Sequence, residues 1–145
     1  MSSTPPPSTI RLSTGPHGAV SFVATAATFL LLDAAWLTTM ASRLYRPAIG
    51  HVMRPDFDVL AAAAFYAIYL SGVVFFAVRP ASDARSALAR GAFFGLVCYA
   101  TYDLTNQATV VSWPWHVTFI DLCWGAFVTA ASAWAGHLAG RRWRR

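Results

Sequence analysis

Residues 59–78 read VLAAAAFYAIYLSGVVFFAV, twenty residues without a charge between Asp58 and Arg79. An α-helix needs about 20 apolar residues to cross a hydrocarbon layer ~30 Å thick. Three further runs of similar kind flank this one. Between Arg11 and Arg43 the only charge is Asp33, and residues 19–42 are otherwise apolar or small. A polar bridge, RPASDAR, follows Val78, and a third run extends from Ser86 to Val111. The stretch SWPWH interrupts it at Pro114, which lacks an amide donor and disfavours helix at the preceding residue. A fourth run continues from Trp115 to Ala139.

Four such runs in a chain of 145 residues leave no soluble core that could bury them. In lipid, every backbone polar group must be bonded internally, which helices achieve segment by segment. The chain is therefore predicted to be all-α, a four-helix transmembrane bundle with spans at 19–42, 59–78, 86–111 and 115–139. Residues 1–18 are rich in Pro, Ser and Thr and are expected to be a disordered tail rather than a signal peptide. Residues 140–145, GRRWRR, form an Arg-rich tail.

Charge supports the same class. All eleven basic residues are Arg, all six acids are Asp, and charged residues make up only 12% of the chain, against about 25% in soluble domains. The net charge of +5 arises from Arg beside apolar runs, not from a basic face, so nucleic acid is not an expected partner. Membrane lipid is. With four spans, one side of the membrane receives Arg11, Arg79, Arg85, Arg90, Arg141, Arg142, Arg144 and Arg145, and the other Arg43, Arg46 and Arg54. Eight against three predicts that both termini are cytoplasmic. Cys98 and Cys123 both fall in apolar runs and read as buried free thiols.

Inside these runs lie polar residues that lipid would not tolerate without a reason. Asp33 is ten residues from Arg43, about 15 Å along a helix, and Asp121 is seven from Pro114, about 10 Å. Asp103 is eight residues from Val111 and Tyr66 eight from Asp58, each about 12 Å. All four helices thus bring polar side chains to one layer in the outer half of the membrane. Gly91, Gly95, Tyr99, Tyr102, Asp103 and Asn106 recur at three- and four-residue spacing. The GAFFG pattern at 91–95 allows close helix approach. Tyr66 and Tyr69 share a face, and Asp33 with Trp36 and Asp121 with Trp124 are each one turn apart.

Intramembrane acids mark functional sites by default, although each could accept hydrogen bonds in a purely structural role. Apart from Arg90, near the start of the third run, no Lys or Arg lies inside the runs to neutralise them. The candidate ligand-binding set is Asp33, Trp36, Tyr66, Tyr69, Tyr102, Asp103, Asn106, Asp121 and Trp124. Two classes of function fit it. One is binding or translocation of a proton, cation or small molecule, with aromatic faces assisting a cation. The other is an enzyme acting on a lipid or isoprenoid with an Asp as general acid/base. Alternating access by so small a chain would call for a homodimer. The dispersed histidines, and the lack of CxxC, HExxH, phosphate-loop or nucleophile-elbow motifs, indicate no metal and no cofactor.

LDAAW at 32–36, FYAIYLSG at 65–72, YATYDLTNQAT at 99–109 and IDLCWG at 120–125 resemble, in order and spacing, the predicted bacterial membrane proteins grouped as domain of unknown function 2177. The resemblance covers about residues 20–135, with TYDLTN its most specific signature. It implies a small polytopic protein of the bacterial inner membrane and brings no catalytic assignment with it. Topology is directly measurable: reporter fusions after Arg145 and within 47–57 should read inside and outside respectively, and reversed signals would contradict the arginine count.

Overall fold

Apolar runs without internal breaks give helices, and the few polar residues at their ends set the boundaries. The computed structural model describes residues 16–143. Helix α1 (Pro16–Met40) passes through a π-helical turn, Ala41–Tyr45, into a single further turn, α2 (Arg46–Ile49). Pro47 lies in the first turn of α2, where its missing N–H is tolerated. This first rod is longer than expected at both ends, and Tyr45 belongs to the bundle rather than to a loop. Helix α3 (Val59–Val73) and its π-helical extension, Val74–Val78, match the predicted second span at both ends. Helix α4 spans Ala84–Thr109 and α5 spans Trp115–Trp143. The fourth run therefore continues through the first residues of the Arg-rich tail. Residues 1–15 and 144–145 lie outside the described residues.

Two of the six aspartates are accounted for by capping. Asp58 accepts from the Ala61 amide at 3.0 Å and Asp83 from the Ser86 amide at 2.8 Å, so α3 and α4 begin where their first free N–H groups find a carboxylate. At the α4–α5 corner Ser112 adopts φ 63°, a left-handed conformation unusual for a residue with a Cβ. The strained corner is tied down by a triangle of side chains. Gln107 donates to the Trp113 carbonyl at 2.9 Å, Trp113 Nε1 donates to Thr118 at 3.2 Å, and Thr118 donates to Gln107 Oε1 at 3.1 Å. Trp113 is buried here beside Ile49 and Val117.

Helices α4 and α5 run antiparallel in the most extensive contact of the bundle, and α1 packs on α5. On α4, Gly91, Gly95, Tyr99 and Asp103 recur every four residues. On α5, Asp121, Gly125, Thr129 and Ala133 do the same. These two ridges interdigitate in the commonest helix-packing mode. A Cβ added at Gly91 would lie 2.7 Å from the Thr129 carbonyl oxygen and 2.9 Å from the Ala130 Cα, and one at Gly95 would collide with the Gly125 carbonyl. The GAFFG pattern thus works as expected, as an approach point. Gly136 likewise fits against Ser21 and Thr25 of α1. Phe29, Tyr69, Leu70, Val73, Ala77, Val78, Val128 and Ala133 fill the core between the helices.

Among the described residues, three rods are long and apolar enough to cross a membrane: Gly18–Ile49, Val59–Val78 and Trp115–Arg142. Helix α4 is not among them. At 26 residues its length suffices, but Arg85, Arg90 and the polar stretch 101–109 dilute its apolar character. The four long helices expected from the sequence are present, with α4 distinguished by its polarity. One further expectation is corrected: both cysteines are free, but Cys123 is exposed and Cys98 only partly covered, because Cys123 lies on the outward face of α5.

The packing predicts an order of substitutions. Gly95→Ala should destabilise the protein by about 1–3 kcal/mol, the usual penalty for overpacking. Gly72→Ala should be milder, because its Cβ would meet only the Phe94 ring, which can rotate. Melting temperatures in detergent give the ranking, and a larger loss at Gly72 would contradict the seam.

Candidate functional site

The hydroxyls of the 101–109 stretch are satisfied by their own helix. Thr101 donates to the Val97 carbonyl at 2.7 Å, Thr105 to the Thr101 carbonyl at 2.5 Å and Thr109 to the Thr105 carbonyl at 2.7 Å. Such back-bonding is how a threonine can face outward in an apolar medium. Gln107 is committed to the corner. Tyr102 is 59% exposed and stands edge-on to Trp113, with ring centroids 5.9 Å apart, and Asn106 is half-buried beside it. These two residues sit at the rim. Asp103 is different. It is 0% exposed, and neither of its carboxyl oxygens has a hydrogen-bond partner.

The other two intramembrane acids are also buried, Asp33 at 6% and Asp121 at 7% exposure, yet each is bonded. Tyr66 on α3 donates to Asp33 Oδ2 at 2.6 Å. Tyr45 donates to Asp121 Oδ1 at 2.5 Å and accepts from Trp36 Nε1 at 2.8 Å. The first rod therefore reaches α5 through a relay, Trp36 to Tyr45 to Asp121. The indoles of Trp36 and Trp124 stack 4.3 Å apart with their planes 9° from parallel, so the two D-x-x-W steps meet face to face. Tyr69 shares a hydrogen bond with Thr129 at 2.7 Å, and Thr129 donates to the Gly125 carbonyl at 2.6 Å.

The antiparallel glycine seam sets Gly95 on Gly125 and Tyr99 on Gly125, so one turn further along the two ridges Asp103 and Asp121 come to the same level. Tyr99 packs its ring against Gly125 of α5 and stands edge-on to Tyr69, with ring centroids 6.4 Å apart. The structure thus gathers Asp33, Trp36, Tyr66, Tyr69, Asp103, Asp121 and Trp124 around one layer and leaves Tyr102 and Asn106 at its edge. Beside the stacked indoles runs an open apolar groove of about 450 Å³, lined by Trp36, Phe119, Ile120, Cys123, Trp124 and Phe127.

Tyr45, Tyr99 and Thr129 belong to the layer and were not among the sequence candidates. Tyr45 is instructive. It follows Trp36 by nine residues, two and a half α-helical turns at about 3.6 residues each, which would put the two on opposite faces. The π-helical turn at 41–45 holds extra residue per turn and rotates the phenol back. Nothing in ASRLY announces that turn. Tyr99 was visible on the glycine stripe of α4, and Thr129 could have been found by extending the four-residue ridge from Asp121 through Gly125.

Three membrane-length apolar rods among the described residues, with three acids buried between the helices, are the features of a membrane protein with polar side chains inside its bundle. The family model described as "Predicted membrane protein (DUF2177)" matches residues 18–138, and the chain belongs to that family. No curated protein and no solved structure matches the chain.

The relay makes Tyr45 the positioning residue for Asp121. Tyr45→Phe leaves a buried carboxyl oxygen and the Trp36 N–H unpaired and should lower stability by about 1–3 kcal/mol. Tyr102→Phe, at the exposed rim, should stay within about 0.5 kcal/mol of the parent. Equal effects in detergent melts would remove the relay from the account.

Proposed function

We propose that the layer is a binding site for a proton or small cation, with Asp103 as the group that takes it. The observation that carries this reading is the pair of buried, unbonded oxygens on Asp103 beside a second carboxyl that is already bonded. A buried carboxylate without a partner is expensive, so Asp103 holds either its own proton or a cation in its place. Asp121, anchored by Tyr45, supplies a fixed negative neighbour. Asp33, anchored by Tyr66, supplies a third oxygen source across the layer. The stacked Trp36 and Trp124 shield the site from the lipid side. In this reading the chain works in a bacterial inner membrane with both termini in the cytoplasm, and α4 is the fourth span.

Binding is favoured over conduction in this conformation. Beyond Thr129 the α4–α5 seam is closely packed, with the Gly91 backbone against Thr129, Ala130 and Ala133. The apolar groove beside Trp36 and Trp124 favours a second reading, in which a lipid or isoprenoid chain lies there and an Asp acts as general acid/base on its polar end.

Dicyclohexylcarbodiimide separates these readings, because it adds to protonated carboxyls in apolar surroundings and leaves ionised surface acids unmodified. Mass spectrometry of the treated protein should place the adduct on Asp103, and the competing cation should protect it. Asp103→Asn should abolish that adduct while keeping the fold, with a melting temperature equal to or above the parent, since no hydrogen bond is lost. Labelling confined to Asp56, Asp58 or Asp83, or a folded protein whose Asp103 never reacts, would overturn the binding reading. Protection by an isoprenoid and not by cations would transfer support to the second.

A further inference from the structure

The two ends of the bundle differ in charge more than an arginine count conveys. Gly136 packs on Ser21 and Thr25, and Gly91 packs on Ala133, so the start of α1, the α3–α4 link and the end of α5 lie together. The described residues at that end carry Arg79, Arg85, Arg90, Arg141 and Arg142 against Asp83 alone, five minus one, or +4. The opposite end carries Arg43, Arg46 and Arg54 against Asp56 and Asp58, three minus two, or +1. There Arg54 is paired with Asp58 at 3.4 Å. At the basic end all five arginines are exposed, and among the described residues none has a carboxylate within ion-pair distance. Asp83 is occupied in capping α4.

The position of these side chains identifies what they meet. Arg79 follows the last residue of the span Val59–Val78, and Arg142 is the last residue of the span Trp115–Arg142. Arg85 and Arg90 lie on the first two turns of α4. Phosphodiester headgroups lie at the ends of helices that span a bilayer, and the planar fork of a guanidinium fits two phosphate oxygens at once. Long arginine stems let the charge reach the headgroups while the methylenes stay in apolar surroundings.

We propose that this end of the bundle is a binding site for anionic phospholipid headgroups, with Arg79, Arg85, Arg90, Arg141 and Arg142 as the phosphate-binding groups. The site is separate from the acidic layer and does not depend on its function. Clustered arginines between the ends of spanning helices suit a lipid bearing net negative charge over a zwitterionic one.

The test uses the full chain in detergent, titrated with phosphatidylglycerol, cardiolipin, phosphatidylcholine or inorganic phosphate, and read by native mass spectrometry and melting temperature. The anionic lipids should be retained and raise the melting temperature at concentrations at least tenfold below phosphatidylcholine. Inorganic phosphate should not reproduce the shift. Each arginine replaced by Gln should weaken anionic-lipid binding about fivefold. The combined Arg79→Gln, Arg85→Gln, Arg141→Gln and Arg142→Gln variant should lose the preference, whereas Arg43→Gln with Arg46→Gln at the opposite end should keep it. Should the combined variant fail to fold, Arg85→Gln and Arg142→Gln singly still have to show the fivefold loss. Equal binding of phosphatidylcholine, a full shift with inorganic phosphate alone, or unchanged affinity in those single variants would overturn the proposal.

Discussion

The interior of a bilayer offers no water to a polar group, and this constraint bears on the polar residues placed inside the long helices. Thr101, Thr105 and Thr109 return their hydroxyls to their own helix, and Gln107 closes a triangle with Trp113 and Thr118. Tyr66 and Tyr45 bring phenols to Asp33 and Asp121 from other helices. Among the described residues, the buried polar atoms left without a partner are both carboxyl oxygens of Asp103, Trp124 Nε1 and His137 Nε2, and Asp103 is the one acid in that group. The same constraint makes its acid group a poor resident unless something neutralises it, and that is the basis of the proposed proton or cation site.

Close packing makes the site possible. Interhelical hydrogen bonds in membranes are individually modest, about 0.6–2 kcal/mol, so contact between backbones must bring the helices into register. Gly91 and Gly95 on α4 and Gly125 on α5 provide that contact. Two four-residue ridges meeting at glycine carry Asp103 and Asp121 to the same level. Toward the arginine-rich end the same seam stays tight, with Gly91 against Thr129, Ala130 and Ala133.

Spans were legible in the sequence because an uncharged run of twenty residues has few alternatives, and residues 59–78 form their helix to the residue. The acidic layer was legible because helical rise converts sequence separation into depth. Tyr45 was not, because its place depends on a π-helical turn that shifts the helical phase without a sequence signal. The extra length of the first rod escaped for the same reason, since Arg43 and Arg46 look like a boundary. Tyr102 and Asn106 were assigned by stripe, and the stripe is wider than the buried ridge: Gly91, Gly95, Tyr99 and Asp103 face α5, whereas neighbours one residue off fall at the rim. Helix α4 shows the limit of composition, because its polarity is spread among threonines bonded to their own helix, a glutamine tied to the corner and a buried acid that is not bonded.

Infrared spectroscopy of the protein in lipid addresses the central claim without reference to any cellular phenotype. A protonated carboxyl has a C=O stretch separate from that of an ionised carboxylate, and its frequency reports hydrogen bonding. The account predicts a band from a weakly bonded carboxylic acid in the parent, absent from Asp103→Asn, or else a carboxylate band at that residue that shifts when the bound cation is exchanged. An Asp103 carboxylate that is ionised in the cation-free protein and indifferent to added cations would contradict it.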